Sequence, residues 1–243
     1  SARSSFHMIS RGYGFADGTK ARGAAHGRAG CTFLTQRGGD IPIRFMILYL
    51  LPVAAYLLGS VSSAIVISRA LGLTDPRTVG SKNPGATNVL RSGGKLAAAL
   101  TLAGDILKGV AAVLVARWLS DDTLILAATA GAAFIGHLYP VWHGFKGGKG
   151  VATALGVWLA LSPWVGVALI ATWLGMALVF RYSSLSGIIA SVAAPFYVWW
   201  LAPEPPYLVA MTLMSLLLLY RHHSNIRSLL AGRELRIGGN KIS

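Results

Sequence analysis

Acidic residues are scarce in this chain: eight aspartates and glutamates stand against 22 lysines and arginines in 243 residues, and only 12% of the positions are charged. Soluble domains carry charge at about a quarter of their residues, so this composition excludes an ordinary water-soluble fold. The one cysteine, Cys31, excludes an internal disulfide or a thiolate cluster, and the six histidines are too scattered to form a metal site by spacing. No metal and no cofactor is expected. The nucleotide-binding pattern Gly-x-x-x-x-Gly-Lys-[Ser/Thr] is missing, because Lys149 is followed by Gly150 and Val151, and this argues against ATP as a ligand. The net charge of +14 raises nucleic acid as a partner. The basic residues, however, come in short clusters between apolar segments rather than along one polar face, and no nucleic-acid motif accompanies them. Internal repeats are also absent, and with them the inverted-repeat signature of many transporters.

What is present is apolar sequence, 54% of the chain. Runs long enough to cross a bilayer fall at about 46 to 68, 96 to 118, 124 to 142, 151 to 162, 164 to 180, 186 to 202 and 206 to 220. The fourth and fifth could instead be one long helix kinked at Pro163, and charge decides between the readings. With seven crossings, the cations from Arg69 to Lys95, those at Lys146, Lys149 and Arg181, and those from Arg221 onward share one side. Arg117 alone faces the other, beside Asp121, Asp122 and Glu204. Merging the pair would send the basic C-terminal tail across and destroy that asymmetry. The expected fold is therefore all-α and integral to a membrane, with about seven transmembrane helices, the N-terminal end of the first helix outside and the C-terminus cytoplasmic. Residues 1 to 45, rich in Gly, Ser, Arg and Ala without apolar periodicity, read as a disordered basic extension. The membrane domain is expected over 46 to 243, with Met46 as its functional start.

Two polar loops interrupt the apolar sequence. The first, Gly80-Ser-Lys-Asn-Pro-Gly-Ala-Thr-Asn-Val-Leu-Arg91, combines amides, hydroxyls, turn-forming Pro84-Gly85 and cations, with no carboxylate. A basic patch that merely touches lipid headgroups needs only Lys82 and Arg91. The added Ser81, Asn83, Gly85, Thr87 and Asn88 suit a phosphate held by backbone and side-chain donors. The second loop, Gly144-Phe-Lys-Gly-Gly-Lys-Gly150, follows His137 at a helix end and opens the next helix, so Lys146, Gly147, Gly148 and Lys149 form a second candidate cradle.

Three further groups stand within or beside the spans. Asp105 and Lys108, at i and i+3 on one helix face, lie deep in the second apolar stretch, where ionisable residues mark either a structural pair or a substrate site. Ser60 sits partway down the first helix, with Arg69 near its cytoplasmic end. His222 and Asn225 share a face where the last crossing closes.

In this order the pieces resemble the bacterial acyl-phosphate-dependent glycerol-3-phosphate acyltransferases, the PlsY family. The resemblance rests on residues 80 to 91, on Gly-His-Leu-Tyr-Pro-Val-Trp-His-Gly-Phe-Lys-Gly-Gly-Lys-Gly-Val-Ala-Thr (136 to 153) and on Arg-His-His-Ser-Asn-Ile-Arg (221 to 227), and it covers Met46 to about Ile237. It implies transfer of a fatty acyl group from acyl phosphate to the 1-hydroxyl of sn-glycerol 3-phosphate, giving lysophosphatidic acid and phosphate. The place implied is the cytoplasmic side of a bacterial inner membrane. The partners are these two substrates and membrane lipid. It also implies Ser60, Arg69, His222 and Asn225 as catalytic groups, which the intramembrane Lys108 joins as a charge stabiliser, and Gly80, Ser81, Asn83, Gly85, Thr87, Asn88, Arg91, His137, Lys146, Gly147, Gly148 and Lys149 as the phosphate-binding set. The family often has Pro where this chain has Ser62, so a kink there is not dictated by the residue. No histidine is followed five residues later by Asp, so a His-Asp base of the soluble acyltransferases is not available. An acyl phosphate is already activated, and direct attack by the alcohol is expected over an acyl-enzyme on Ser60. The competing readings are a transporter of organic phosphates, which the one-sided charge disfavours, and a noncatalytic lipid-binding scaffold.

Overall fold

The computed structural model describes residues 40–238, and every regular element among them is helical. The helices are α1 (Asp40–Gly59), α2 (Ser63–Ala70), α3 (Ala86–Leu119), α4 (Thr123–Leu138), α5 (Val151–Leu161), α6 (Pro163–Phe180), α7 (Ser183–Leu201), α8 (Pro205–Arg221) and α9 (His223–Leu230), with a short 3-10 turn at Val141–His143. Helix α1 begins at Asp40, so regular structure reaches into the stretch assigned to the extension. The rest of that assignment lies outside the described residues.

Four helices, α3, α4 with its following turn, α6 and α7, are long and apolar enough to span a membrane, and α1 with α2 makes a fifth across a 41° bend. Helices α5 and α8, with 11 and 17 residues, are apolar but shorter. At 1.5 Å per residue α5 is about 16 Å long, roughly half a hydrocarbon core. The segment expected as the first crossing is thus a broken helix, and the one expected as the fourth is too short to cross by itself. Pro163 starts α6 rather than kinking a continuous helix, and Ser162 between α5 and α6 is extended. The break between α1 and α2 forms without a proline at Ser62, whose backbone is extended. The Lys108 ammonium donates to the freed Val61 carbonyl at 2.7 Å, so a buried cation satisfies a carbonyl that the interrupted helix leaves open.

Small residues set the helix spacing. A Cβ on Gly59 would lie 2.1 Å from the Ala133 carbonyl oxygen, and one on Gly156 would lie 2.1 Å from that of Ile106. Backbones therefore approach directly where α1 meets α4 and where α3 meets α5, as in membrane interfaces that pack without a hydrophobic drive. The main core runs through Val113, Phe134, Leu138, Val157 and Trp158, all fully buried. The outer surfaces are apolar: Trp118, Leu178 and Trp200 are largely exposed, as befits lipid-facing positions.

Candidate active site

The first polar loop is built around Asn88. Its carboxamide oxygen accepts from the Ser81 N–H at 2.9 Å, and its nitrogen donates to the carbonyls of Pro76 at 2.7 Å and Val79 at 3.1 Å. Gly80 adopts a left-handed φ of 60°, and a Cβ there would meet the Asn88 oxygen at 2.3 Å. Asn88 is thus spent holding the loop in shape. Upstream, the Arg77 guanidinium binds both Asp75 oxygens and holds that carboxyl down at about 2. The loop ends at Gly85, the N-cap of α3, where no side chain caps the helix.

The second loop folds back on α4. Gly147 and Gly148 donate their N–H groups to Leu138 and His137 carbonyls at 3.2 and 3.1 Å. A side chain at Gly148 would strike the His137 ring, 2.2 Å from Nε2. Arg221, stacked 5.5 Å over the Tyr139 ring, donates to the carbonyls of Gly147 at 2.8 Å and Gly148 at 3.1 Å. This clamp delivers Lys149, whose ammonium donates to the Asn225 carboxamide oxygen. The Asn225 nitrogen donates to Glu234 Oε1 at 2.8 Å, and the Ser184 hydroxyl donates to the same oxygen at 2.6 Å. Burial pushes the Lys149 ammonium down from its ordinary value, against the pull of Glu234.

These groups surround a cavity of about 400 Å³. Its polar end gathers Ser81, Thr87, Arg91, Lys149, His222 and Asn225; its other end runs between Leu155, Trp158, Leu169, Trp173, Met211 and Met214. Three helices begin at the polar end, α3 after Gly85, α5 after Gly150 and α7 after Tyr182, and none has a side-chain cap. Their dipoles and open N–H groups favour an anion. A second, more basic cavity of about 610 Å³ adjoins it, lined by Arg77, Lys82, Lys146, Arg221 and Arg233 among others. Arg91, Lys149, Asn225 and Glu234 border both. His222 donates from Nδ1 to the Leu218 carbonyl at 2.9 Å, leaving Nε2 on the side of Gly187 in the cavity wall. Burial lowers this imidazole to about 4, so it is neutral at physiological pH.

Below the polar end lies a buried ion cluster. Lys108 Nζ is 2.9 Å from Asp105 Oδ1 and 2.9 Å from His137 Nδ1, and His137 Nδ1 is 3.5 Å from the same carboxylate oxygen. Asp105 and His137 reach the cavity wall, while Lys108 stands behind them.

The glycerol-3-phosphate acyltransferase family model matches residues 49–232. The chain belongs to the glycerol-3-phosphate acyltransferase family. It is 56% identical over 199 residues to a glycerol-3-phosphate acyltransferase of Thiobacillus denitrificans, covering 79% of this chain and 98% of the relative. It is 58% identical over 193 residues to one of Ralstonia nicotianae, covering 78% and 93%. The crystal structure of PlsY (YgiH), an integral membrane glycerol 3-phosphate acyltransferase in its glycerol 3-phosphate form, superposes with a TM-score of 0.76 at 43% identity, covering 79% of this chain and 96% of that one. The lysophosphatidic acid form of PlsY gives 0.73 at 42% identity, covering 78% and 95%.

Within this acyltransferase, the residues singled out in the sequence divide by position. Ser81, Asn83, Gly85, Thr87, Asn88, Arg91, His137, Lys149, His222 and Asn225 line the first cavity, and Lys146 and Gly147 the second. Gly80 and Gly148 support the walls as backbone. Ser60 and Arg69 line neither cavity: the Ser60 hydroxyl is fully buried and donates to the Tyr56 carbonyl at 2.8 Å, and Arg69 is exposed in the last turn of α2. Glu234, Ser184 and the clamp by Arg221 were not foreseen. For Glu234 a signal existed, since it is the one acidic residue after Glu204 in an otherwise basic tail.

Proposed function

We propose that this protein transfers a fatty acyl group from acyl phosphate to the 1-hydroxyl of sn-glycerol 3-phosphate, releasing phosphate and forming lysophosphatidic acid for phospholipid synthesis. The observation that carries this reading is the two-ended cavity. Arg91, Lys149 and three uncapped helix N-termini meet a phosphate at one end, and an apolar tunnel between α5, α6, α7 and α8 accepts a hydrocarbon chain at the other. The adjoining basic cavity supplies room for the second phosphate.

The alcohol oxygen attacks the acyl carbon, the new ester C–O bond forms, and the anhydride C–O bond breaks with inorganic phosphate leaving. Arg91 and Lys149 neutralise phosphate charge, and His222 Nε2, neutral and unpaired, orients the attacking hydroxyl. The proton passes to this nitrogen or to a phosphate oxygen of the substrate. Asn225 fixes Lys149, and Lys108 holds Asp105 and His137 in the floor of the site. Ser60 supports the helix break instead of forming an acyl-enzyme, because its hydroxyl is buried and already bonded. The one-sided distribution of cations supports seven membrane passes, α5 being a half-length one, with the N-terminal end of α1 outside and both loops, the site and the C-terminus cytoplasmic at the bacterial inner membrane.

The test is phosphate release and lysophosphatidate formation by purified protein given palmitoyl phosphate and glycerol 3-phosphate. Product requiring both substrates, and falling about 10²-fold in Asn225→Ala, is expected. Folded protein that makes no product would overturn the reading.

A further inference from the structure

The family model ends at residue 232, yet residues 233–238 fold directly onto the site as a strap. Arg91 donates to the Leu235 carbonyl at 3.3 Å, the Ile237 N–H donates to the Arg181 carbonyl at 2.6 Å, and Arg236 donates to the Tyr182 hydroxyl at 3.2 Å. The strap thereby ties the start of α3 to the start of α7 and puts Glu234 in the wall shared by both cavities.

A carboxylate in a phosphate site is a cost, since it repels the ligand the site collects. Its Oε1 has two donors, Ser184 and Asn225, whereas no hydrogen bond among the described residues reaches Oε2. His222 Nε2, whose ring is tied through Nδ1 to the Leu218 carbonyl, is a second acceptor in the cavity wall that no hydrogen bond among the described residues reaches. Phosphate oxygens require donors and satisfy neither of these. Hydroxyl groups satisfy both.

We propose that Glu234 determines the acceptor substrate: its Oε2 accepts a hydrogen bond from the 2-hydroxyl of the glycerol unit, while His222 Nε2 takes the reacting 1-hydroxyl. This rests on the acyltransferase reading above. Through Oε1 the same carboxylate positions the Asn225 amide, so that its oxygen points to Lys149. The strap is in this way the element that makes the site read a polyol phosphate rather than any phosphorylated alcohol.

The experiment compares kcat/KM for glycerol 3-phosphate and for 3-hydroxypropyl phosphate, which lacks the 2-hydroxyl, with palmitoyl phosphate as donor. Wild type, Glu234→Gln and Glu234→Ala are assayed as full-length protein. Hydrogen bonds to charged groups make roughly a tenfold or larger preference for glycerol 3-phosphate the expectation in wild type. In Glu234→Ala that preference collapses to about onefold, mainly through a raised KM for glycerol 3-phosphate. Glu234→Gln, which preserves shape and a neutral acceptor, keeps a preference of a few fold and serves alone if the alanine variant does not fold. An equal loss on both acceptors, or an unchanged preference in an active variant, overturns the role of Glu234 and leaves the acyltransferase standing. Absence of product from wild type with either acceptor overturns both.

Discussion

Ser60 and His222 are both buried, and the structure gives their polar atoms different partners. The Ser60 hydroxyl donates to Tyr56 and accepts from the Val141 N–H at 3.3 Å, so it stitches α1 to the loop after α4. Ser60→Ala is expected to keep most of kcat while lowering stability by about 1 kcal/mol, the worth of a buried hydrogen bond; trapping of an acylated Ser60 would defeat this. His222 is buried with its imidazole lowered from 6.5 to about 4. An unfolded chain binds a proton here below pH 6.5 and the folded one does not, so this contribution to stability is complete above pH 6.5 and shrinks as pH falls towards 4. Unfolding midpoints in detergent measured from pH 7 to 4.5 are expected to fall more steeply for wild type than for His222→Gln. In the assay, the acid limb of kcat/KM is expected nearer pH 4 than 6.5, because the free enzyme's imidazole stays neutral that far. Asn88 is a further lesson at this scale. Its amide suits a phosphate ligand, yet its side-chain hydrogen bonds among the described residues all go to the loop backbone, so its part is to hold the loop in shape.

Among elements, the glycines separate into those that let helices touch and those that do not matter. Gly156 packs against the Ile106 carbonyl, while a Cβ on Gly175 would meet nothing within 4 Å. Gly156→Ala is expected to push α5 off α3 and lower the unfolding temperature by several degrees, whereas Gly175→Ala is neutral or slightly stabilising through its better helix propensity. Matched thermal scans in one detergent decide it. Composition cannot distinguish these two glycines, since both sit in apolar helices and only the neighbouring backbone tells them apart. The polar loops show the same division of information. Their donors are plain in the sequence, but the Gly147 and Gly148 N–H groups bond to α4, so the uncapped backbone donors at the cavity are those at the starts of α3, α5 and α7.

For the molecule as a whole, the charge asymmetry predicts sidedness. In a Cys31→Ser background, Ser228→Cys is expected to react with an impermeant maleimide only from the cytoplasmic side and Asp121→Cys only from the opposite one; labelling of both from one side would refute the seven-pass arrangement. The sequence by itself determined that the protein is helical and membrane-embedded, that its cations gather in polar loops between apolar runs, and which family it belongs to. Those properties follow from hydropathy, charge and local motifs, which are written along the chain. Tertiary structure alone decided that α1 breaks before α2 with Lys108 filling the gap, that Ser60 and Arg69 stand outside the cavities, and that Glu234 of the strap lines both cavities. Each of these depends on which distant segments meet: Lys108 with Val61, Lys149 with Asn225, and Glu234 with Ser184. Such pairings arise from helix packing at glycine contacts and from the need to satisfy buried polar groups, and no local pattern in the chain records them.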